Sequence, residues 1–587
     1  MQGTPLAKLS HAAQMKKKEM AVEAGQPRLK KARKSNGMFQ LSPRSSPRSL
    51  DEVLRCLKDP TRRVVEVLQQ RLPMWPWKPK TFCGSDWQEV WITTSYSGIG
   101  FAEAAVAELV REFAELGTEL KVKFLSACEI HSTPRRALLK HKDDSGAPEH
   151  VFGDVCAHIS AELKDLLLHR AHSLREEVTA EVHAFLAEGG SQEAKAPLKA
   201  CLVQEKGQRF FEEMVVHLRG AAFASTSWCY RHQCQCPLHI APTVDRSAIL
   251  LMEIAGSTCV AWSSHCIGWG WLDDSSVPCL VWMFATAAAK PDLILHECLP
   301  RFKPHHFDSA FGGTHLMRTL LNSPSDWGIP VDRIRRYTLL VSCLRLAAAD
   351  ASRAAHFEMP EHQPQRLLHS SDEELLAADG SNWALSRLQE LEATSNNGMD
   401  FALQVMSELF FAPLQLDSSV FLVASTEQVQ NYYLKRLGRK RDGGAGGGWT
   451  EVSEVICASA RAYLEAWQKK LITCGELPRD LVSLSQSPWH HVSVYIKPSP
   501  CAPTLTQSSF LYSMLGRRLA LPAEILQMQG LPVPAMLPNS PGLASRWPFA
   551  CDLPDIMCES WERKVTGNGR HICQVGSAVL LALAILV

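Results

Sequence analysis

The chain has 587 residues, 46% hydrophobic and 21% charged, with 62 Lys+Arg against 61 Asp+Glu and a formal net charge of +1. At roughly 100–200 residues per domain, that length holds about three or four domain-sized units, or one large catalytic domain with insertions. The apolar content excludes a mostly disordered or collagen-like chain, and near-neutrality excludes a protein that is basic throughout while leaving room for local patches.

Residues 1–50 carry eleven Lys and Arg against Glu19 and Glu23, a net charge of +9. With few large apolar residues and no sustained period, this composition predicts a disordered basic arm, here drawn to residue 80. Arg28-Leu29-Lys30-Lys31-Ala32-Arg33-Lys34 reads as a nuclear-import or nucleic-acid patch, or as part of a solvated tail. Ser42-Pro43-Arg44 and Ser46-Pro47-Arg48 read as phosphoacceptor sites. The first twenty residues are Lys-rich and lack the apolar core of a secretory signal, so the nineteen cysteines are expected to be mostly free thiols in a reducing compartment.

From residue 89 onward, short apolar runs alternate with helix-period segments. Predicted strands are 89–95, 122–127, 150–155, 248–254, 292–296 and 337–341, with helices such as 102–116 and 159–186 between them. The alternation predicts an α/β fold with a mostly parallel, doubly wound sheet and a ligand crevice at the carboxyl ends of its strands. The apolar run 575–587 is too short for a membrane span of about twenty residues and predicts a buried helix.

The strand ends carry the chemistry. The first runs into Thr94-Ser95-Tyr96-Ser97-Gly98-Ile99-Gly100, where glycines at a strand-to-helix turn let the backbone approach a ligand and the helix N-terminus adds donors. Glu129 ends the second strand, placed to accept from both hydroxyls of a ribose. Asp154 lies at the end of the third strand and offers an acceptor for an exocyclic amine. Cys259 lies in the Gly256-Ser257-Thr258-Cys259 loop after the fourth, placed to act as a thiolate nucleophile, although any one of nineteen cysteines can also be an inert buried residue. Glu297 ends the fifth strand, and Arg333-Ile334-Arg335-Arg336 precedes the sixth. Thiol, carboxyl and guanidinium on neighbouring strand ends form a catalytic constellation.

The order of these motifs resembles the C5-specific DNA cytosine methyltransferase family. Ser97-Gly98-Ile99-Gly100, Glu129, Gly153-Asp154, Thr258-Cys259, Glu297 and Arg333-Ile334-Arg335 follow the family's succession. Pro503-Thr504-Leu505-Thr506, with Arg517-Arg518-Leu519 and Glu524 to Pro532, resembles its last substrate-side motif, and Gly567-Asn568-Gly569 its final cofactor motif. The resemblance implies a Rossmann-like S-adenosylmethionine-dependent methyltransferase fold with insertions and a target-recognition-like region. It implies that Tyr96, Ser97, Gly98, Ile99, Gly100, Glu129, Ile130, Asp154, Val155 and Asn568 hold S-adenosylmethionine. Cys259 would add to C6 of a flipped-out cytosine, Glu297 would bond N3 and the exocyclic amine, and Arg333 and Arg335 would steady the base. The surroundings depart from the family's pattern: Thr258 replaces its proline, Val260 and Val331 replace glutamines, Cys298 an asparagine and Thr94 an acid.

The implied organisation is a catalytic domain over 89–343 with an insertion at 156–247, a target-recognition-like region at 344–487, and a return to the catalytic domain at 488–587. Within the insertion, Cys229, His232, Cys236 and His239 offer zinc ligands in two short-spaced pairs, but the gap between the pairs is far shorter than a zinc finger's. The basic run Arg436–Arg441 beside a glycine-rich linker at 435–448 reads as a phosphate contact or a solvated linker. The expected activity is methylation of cytosine C5 in DNA, with DNA as partner, a nuclear location and no membrane. The alternatives are an RNA substrate, since the family has a tRNA-methylating branch, and an inactive chromatin module.

Overall fold

The computed structural model describes residues 47–71, 89–141, 146–238, 248–263, 268–345, 412, 415–438, 451–474, 480–485, 500–503, 505, 510–533 and 570–586. Its strands are β1 (Glu89–Ser95), β2 (Val122–Cys128), β3 (His150–Phe152), β4 (Thr226–Cys229), β5 (Cys234–Pro237), β6 (Ile249–Gly256), β7 (Leu293–Cys298), β8 (His315–Asn322) and β9 (Arg335–Ser342), followed by a short three-stranded sheet near residues 481–519. Seven of them build one sheet in the order β3-β2-β1-β6-β7-β9-β8. Its pairs are parallel from β3 to β7, and β9 runs antiparallel to both neighbours. This is the α/β, doubly wound, mostly parallel architecture predicted from the alternation of elements.

The central strands form because their residues suit burial on both faces. β6 begins Ile249-Leu250-Leu251-Met252 and β7 begins Leu293-Ile294-Leu295, near-continuous apolar runs that are buried throughout. One face is covered by helix α2 (Phe101–Glu115), the C-terminal helix α6 (Ile572–Leu586) and helix α1 (Lys58–Arg71), which share a core with Ile92, Met252 and Leu295. The apolar C-terminal run is therefore a buried helix packed on α2. Among the described residues, no helix is long and apolar enough to cross a membrane. The other face carries α5 (Val277–Ala289) and an antiparallel pair, α3 (Ala161–Ala187) and α4 (Gln192–Arg219), whose apolar stripes meet through Leu167, Leu174, Val178, Phe210 and Met214.

Several expectations shift. Residues 50–71 fall in the segment drawn as a disordered arm, yet they form two helices, Leu50–Leu54 and Lys58–Arg71, joined by a turn, because Val53, Leu54, Leu57, Val64 and Val65 are buried in the core. Strand β3 stops at Phe152 rather than 155, since the Asp154 carboxylate accepts from the Cys156 N–H at 2.9 Å and caps a 3-10 turn over Val155–His158. Edge strand β8 was not predicted, because its Met317, Arg318 and Thr319 show no clean alternation. Arg436, part of the predicted phosphate contact, donates to the Val455 carbonyl at 3.0 Å and stacks over Phe510. Residues 439–441 and the glycine run after them lie outside the described residues.

Candidate active site

Parallel pairing puts the ends of β1, β6 and β7 side by side, with Ser95 opposite Ala255 and Gly256 opposite Glu297. Because β9 is antiparallel, its beginning reaches that same edge, with Arg336 opposite Cys298. The loops bearing Tyr96–Gly100, Cys259, Glu297 and Arg333–Arg335 thus share one carboxyl edge, where ligands bind in open α/β sheets.

On the nucleotide side, Gly98 and Gly100 adopt φ of +63° and +95°, and Gly100 is the N-cap of α2. A Cβ at Gly100 would come within 2.4 Å of the His141 ring, so the loop closes only with glycine there. The Glu129 carboxylate is buried and accepts the N–H of Gly98 at 2.9 Å and of His131 at 2.8 Å. Burial raises its pKa, while these two amides pull it down. Arg135 donates to the Glu129 and Ile130 carbonyls at 3.0 Å each. The Ile130 side chain is 55% exposed beside this carboxylate, whereas Ile99 and Val155 are buried. Asp154 pairs with Lys164 at 2.8 Å. Ser97 is buried, its hydroxyl 2.6 Å from that of Thr94. Tyr96 packs against the core shared by α3, α4 and α5, with its hydroxyl buried. Asn568 lies outside the described residues.

On the other side, the half-buried Cys259 caps a 3-10 turn over Val260–Trp262. Trp262 anchors that turn edge-to-face on Trp271 and Phe302, at 5.1 and 5.3 Å between ring centres. Glu297 forms a buried ion pair with Arg335, Nε to Oε1 at 2.9 Å. Arg333 is fully enclosed and donates to the Leu505 carbonyl at 3.3 Å. Burial and the neighbouring Arg335 lower its pKa to about 10, with Glu297 and Cys259 among the charges opposing that shift. Below Cys259, the Ser257 hydroxyl is 2.8 Å from His296 Nε2, and burial pushes the His296 pKa down to about 3, so its ring is neutral.

Most departures from the family's pattern have identifiable partners. The Thr258 hydroxyl donates to the Ser275 carbonyl at 2.8 Å, tying down the cysteine loop where a proline would stiffen it. Thr94 hydrogen-bonds Glu103 of α2, a buried acid that supplies a carboxyl from the helix instead of from the strand. Val331 is buried and bridges to Ala502, with Asp332 N–H donating to the Ala502 carbonyl at 2.9 Å. Cys298 is buried and receives a bond from Ser257 at 3.7 Å. Nothing in the structure explains Val260, which is exposed.

Sequence reasoning missed Arg570. Its guanidinium donates to the Ser95 carbonyl at 2.7 Å and lies against Gly256, where a Cβ would sit 2.5 Å from its Nε. Its Nη1 is buried with no hydrogen-bond partner among the described residues. Gln574 next to it donates to Asn322 at 2.8 Å, stapling the start of α6 beside the Arg333 segment. No local pattern marks Arg570, because only the return of the C-terminus to β1 gives it a role. In the insertion, Cys229, His232 and Cys236 lie together, the fourth donor beside them is His150 of β3, and His239 lies outside the described residues.

No protein-family model matches the sequence, and no curated protein matches it. Among solved structures, the chain is similar to Schizosaccharomyces pombe Dnmt2 methyltransferase, at 10% identity and a TM-score of 0.37 over 84% of this chain and 98% of that one. It is similar to a Spodoptera frugiperda DNMT2 variant at the same identity and TM-score, over 84% and 99%. Against the Entamoeba histolytica methyltransferase EhMeth, identity is 11% and the TM-score 0.21, over 43% of this chain and about half, 53%, of that one. At this level of likeness, the functional reading rests on the residues themselves.

Proposed function

We propose that this protein transfers a methyl group from S-adenosylmethionine to C5 of cytosine in DNA, through covalent addition of Cys259. The convergence of Cys259, Glu297, Arg333 and Arg335 on the strand edge that also holds the Gly98–Gly100 turn and Glu129 carries this reading. A thiol, a carboxyl and two guanidinium groups gathered on one strand edge suit the activation of an electron-poor ring. The basic stretch over residues 1–50 supports a nucleic-acid partner and a nuclear location.

The nucleotide side fits the cofactor on three counts. The Glu129 carboxylate suits ribose hydroxyls, open space lies beside Gly98, and Nη1 of Arg570, without a partner among the described residues, suits an amino-acid carboxylate. When bound, S-adenosylmethionine supplies an electrophilic methyl group. The chain's own residues do the rest. Cys259 Sγ adds to C6 and puts electron density on C5, while Glu297 bonds N3 and the exocyclic amine. Arg335 holds the Glu297 carboxyl in place, and Arg333 steadies the loop and the base. Loss of the C5 proton then expels the thiolate and restores aromaticity.

Incubation with labelled S-adenosylmethionine and either DNA or RNA, beside a Cys259→Ser variant, tests this reading. The expected result is label in DNA that disappears with the variant. Label only in RNA would move the substrate, and cofactor binding without transfer to either would leave a binding module.

A further inference from the structure

We propose that His150, Cys229, His232 and Cys236 form a structural zinc site that clamps the β4–β5 hairpin onto β3 and, through it, holds the Glu129 loop. The four ligand atoms lie within 4.8 Å of one another. His232 Nδ1 is 3.6 Å from Cys229 Sγ and 3.4 Å from Cys236 Sγ. In tetrahedral zinc, with bonds of about 2.3 Å to sulfur and about 2.0–2.1 Å to nitrogen, neighbouring ligand atoms are about 3.3–3.8 Å apart. Two edges of the tetrahedron therefore already have the length a metal needs, and the rest close by about 1 Å on binding.

A second observation points the same way. His150 Nδ1 is buried and has no hydrogen-bond partner among the described residues, a state that buried polar atoms rarely keep. The His150 and His232 rings meet nearly perpendicular, 4.9 Å apart. Two thiols and two imidazoles select zinc over hard cations, which take oxygen ligands. Binding releases one proton from each thiol, so the dication meets two thiolates and the centre is neutral, a charge state compatible with buried Cys229 and Cys236. The spacing that defied a zinc finger is also resolved. The hairpin supplies three ligands from the eight residues 229–236, and the fourth comes from a strand of the main sheet far earlier in the chain.

The clamp sits where it affects the crevice. In the same turn, Tyr230 N–H donates to the Val151 carbonyl at 2.7 Å, and the Tyr230 ring lies 3.6 Å beneath the Arg135 guanidinium. Arg135 is the residue that holds the Glu129 and Ile130 carbonyls. Metal removal therefore loosens the hairpin first and the Glu129 loop second. The site stands independently of the proposed chemistry, since metal content is read without turnover.

The test is metal analysis of the full-length protein, with cobalt(II) as a spectroscopic substitute. The expected result is one zinc per chain and, for the cobalt form, a thiolate-to-metal charge-transfer band with tetrahedral d–d intensity. His150→Ala and Cys229→Ser each weaken zinc binding at least about tenfold, while His239→Ala and Cys201→Ser, the latter an exposed thiol outside the cluster, leave it unchanged. Should His150→Ala misfold, His150→Cys decides: it keeps the metal and strengthens the charge-transfer band by adding a third thiolate. A wild-type protein that takes up no zinc or cobalt overturns the site. Zinc lost in His239→Ala but retained in His150→Ala overturns the clamp on β3.

Discussion

The two sides of the crevice are built from different materials. On the nucleotide side, Glu129 is held by backbone N–H groups of Gly98 and His131, in a loop shaped by glycines with positive φ. On the opposite side, Glu297 is held by a side chain, Arg335, and the thiol loop by the ring of Trp262. A backbone cradle tolerates side-chain change around it as long as its glycines remain. A side-chain constellation concentrates its risk in a few buried charges. The contrast shows in the contacts: Thr94 hydrogen-bonds the buried Glu103 beside a loop whose turn is set by Gly98 and Gly100, whereas the Glu297 carboxyl is paired with Arg335.

Breaking each side separately sharpens the contrast. The largest effect is expected for Cys259→Ser, a fall in methyl transfer of at least about a thousandfold with cofactor binding intact, read by label transfer and calorimetric titration. Arg335→Ala leaves the Glu297 carboxyl buried without its partner and is expected to cost about 3–5 kcal/mol of stability in denaturant unfolding. Gly100→Ala strains the nucleotide loop, costing about 1–3 kcal/mol and weakening cofactor binding more than it slows bound substrate. At the small end, Lys164→Ala breaks a half-exposed pair with Asp154 and should change stability by less than about 1 kcal/mol. A Lys164 effect as large as that of Arg335 would erase the distinction between the sides.

The pH dependence has a defined sign. Burial lowers the pKa values of His296, His306 and His571 from 6.5 to about 3 each. Between those limits the unfolded chain binds more protons than the folded one, so this stability is complete above pH 6.5 and is lost as pH falls toward 3. Glu103 and Glu129, whose pKa values burial raises, act in the opposite sense as pH rises above 4.5. Thermal melts of the protein and of His296→Gln between pH 7 and 5 separate the two. The Tm of the wild type should fall further across that range than that of the variant, and equal falls would show that His296 contributes nothing.

How much of this was legible depended on range. Six of the seven sheet strands stand out as apolar runs between turn residues, and the strand ends carry their chemical groups within a few residues of those runs. Strand β8 was hidden by Arg318 and Thr319 on a half-exposed edge, and the helices over residues 50–71 by the basic composition around them. Arg570 and His150 were illegible for a different reason. Each gains its place from chain segments far away in sequence, Ser95 and Gly256 in one case and the hairpin at 226–237 in the other. Local pattern reports what an element is made of, and only packing reports what it meets.

The most direct measurement is covalent trapping with DNA in which the target cytosine carries fluorine at C5. With no C5 proton to lose after methyl transfer, the enzyme–base bond cannot be broken by elimination. The protein with S-adenosylmethionine should form a denaturation-resistant adduct whose cross-linked peptide contains Cys259, and Cys259→Ser should form none. Methyl transfer to ordinary DNA that persists in Cys259→Ser, with no adduct from the wild type, would contradict the account.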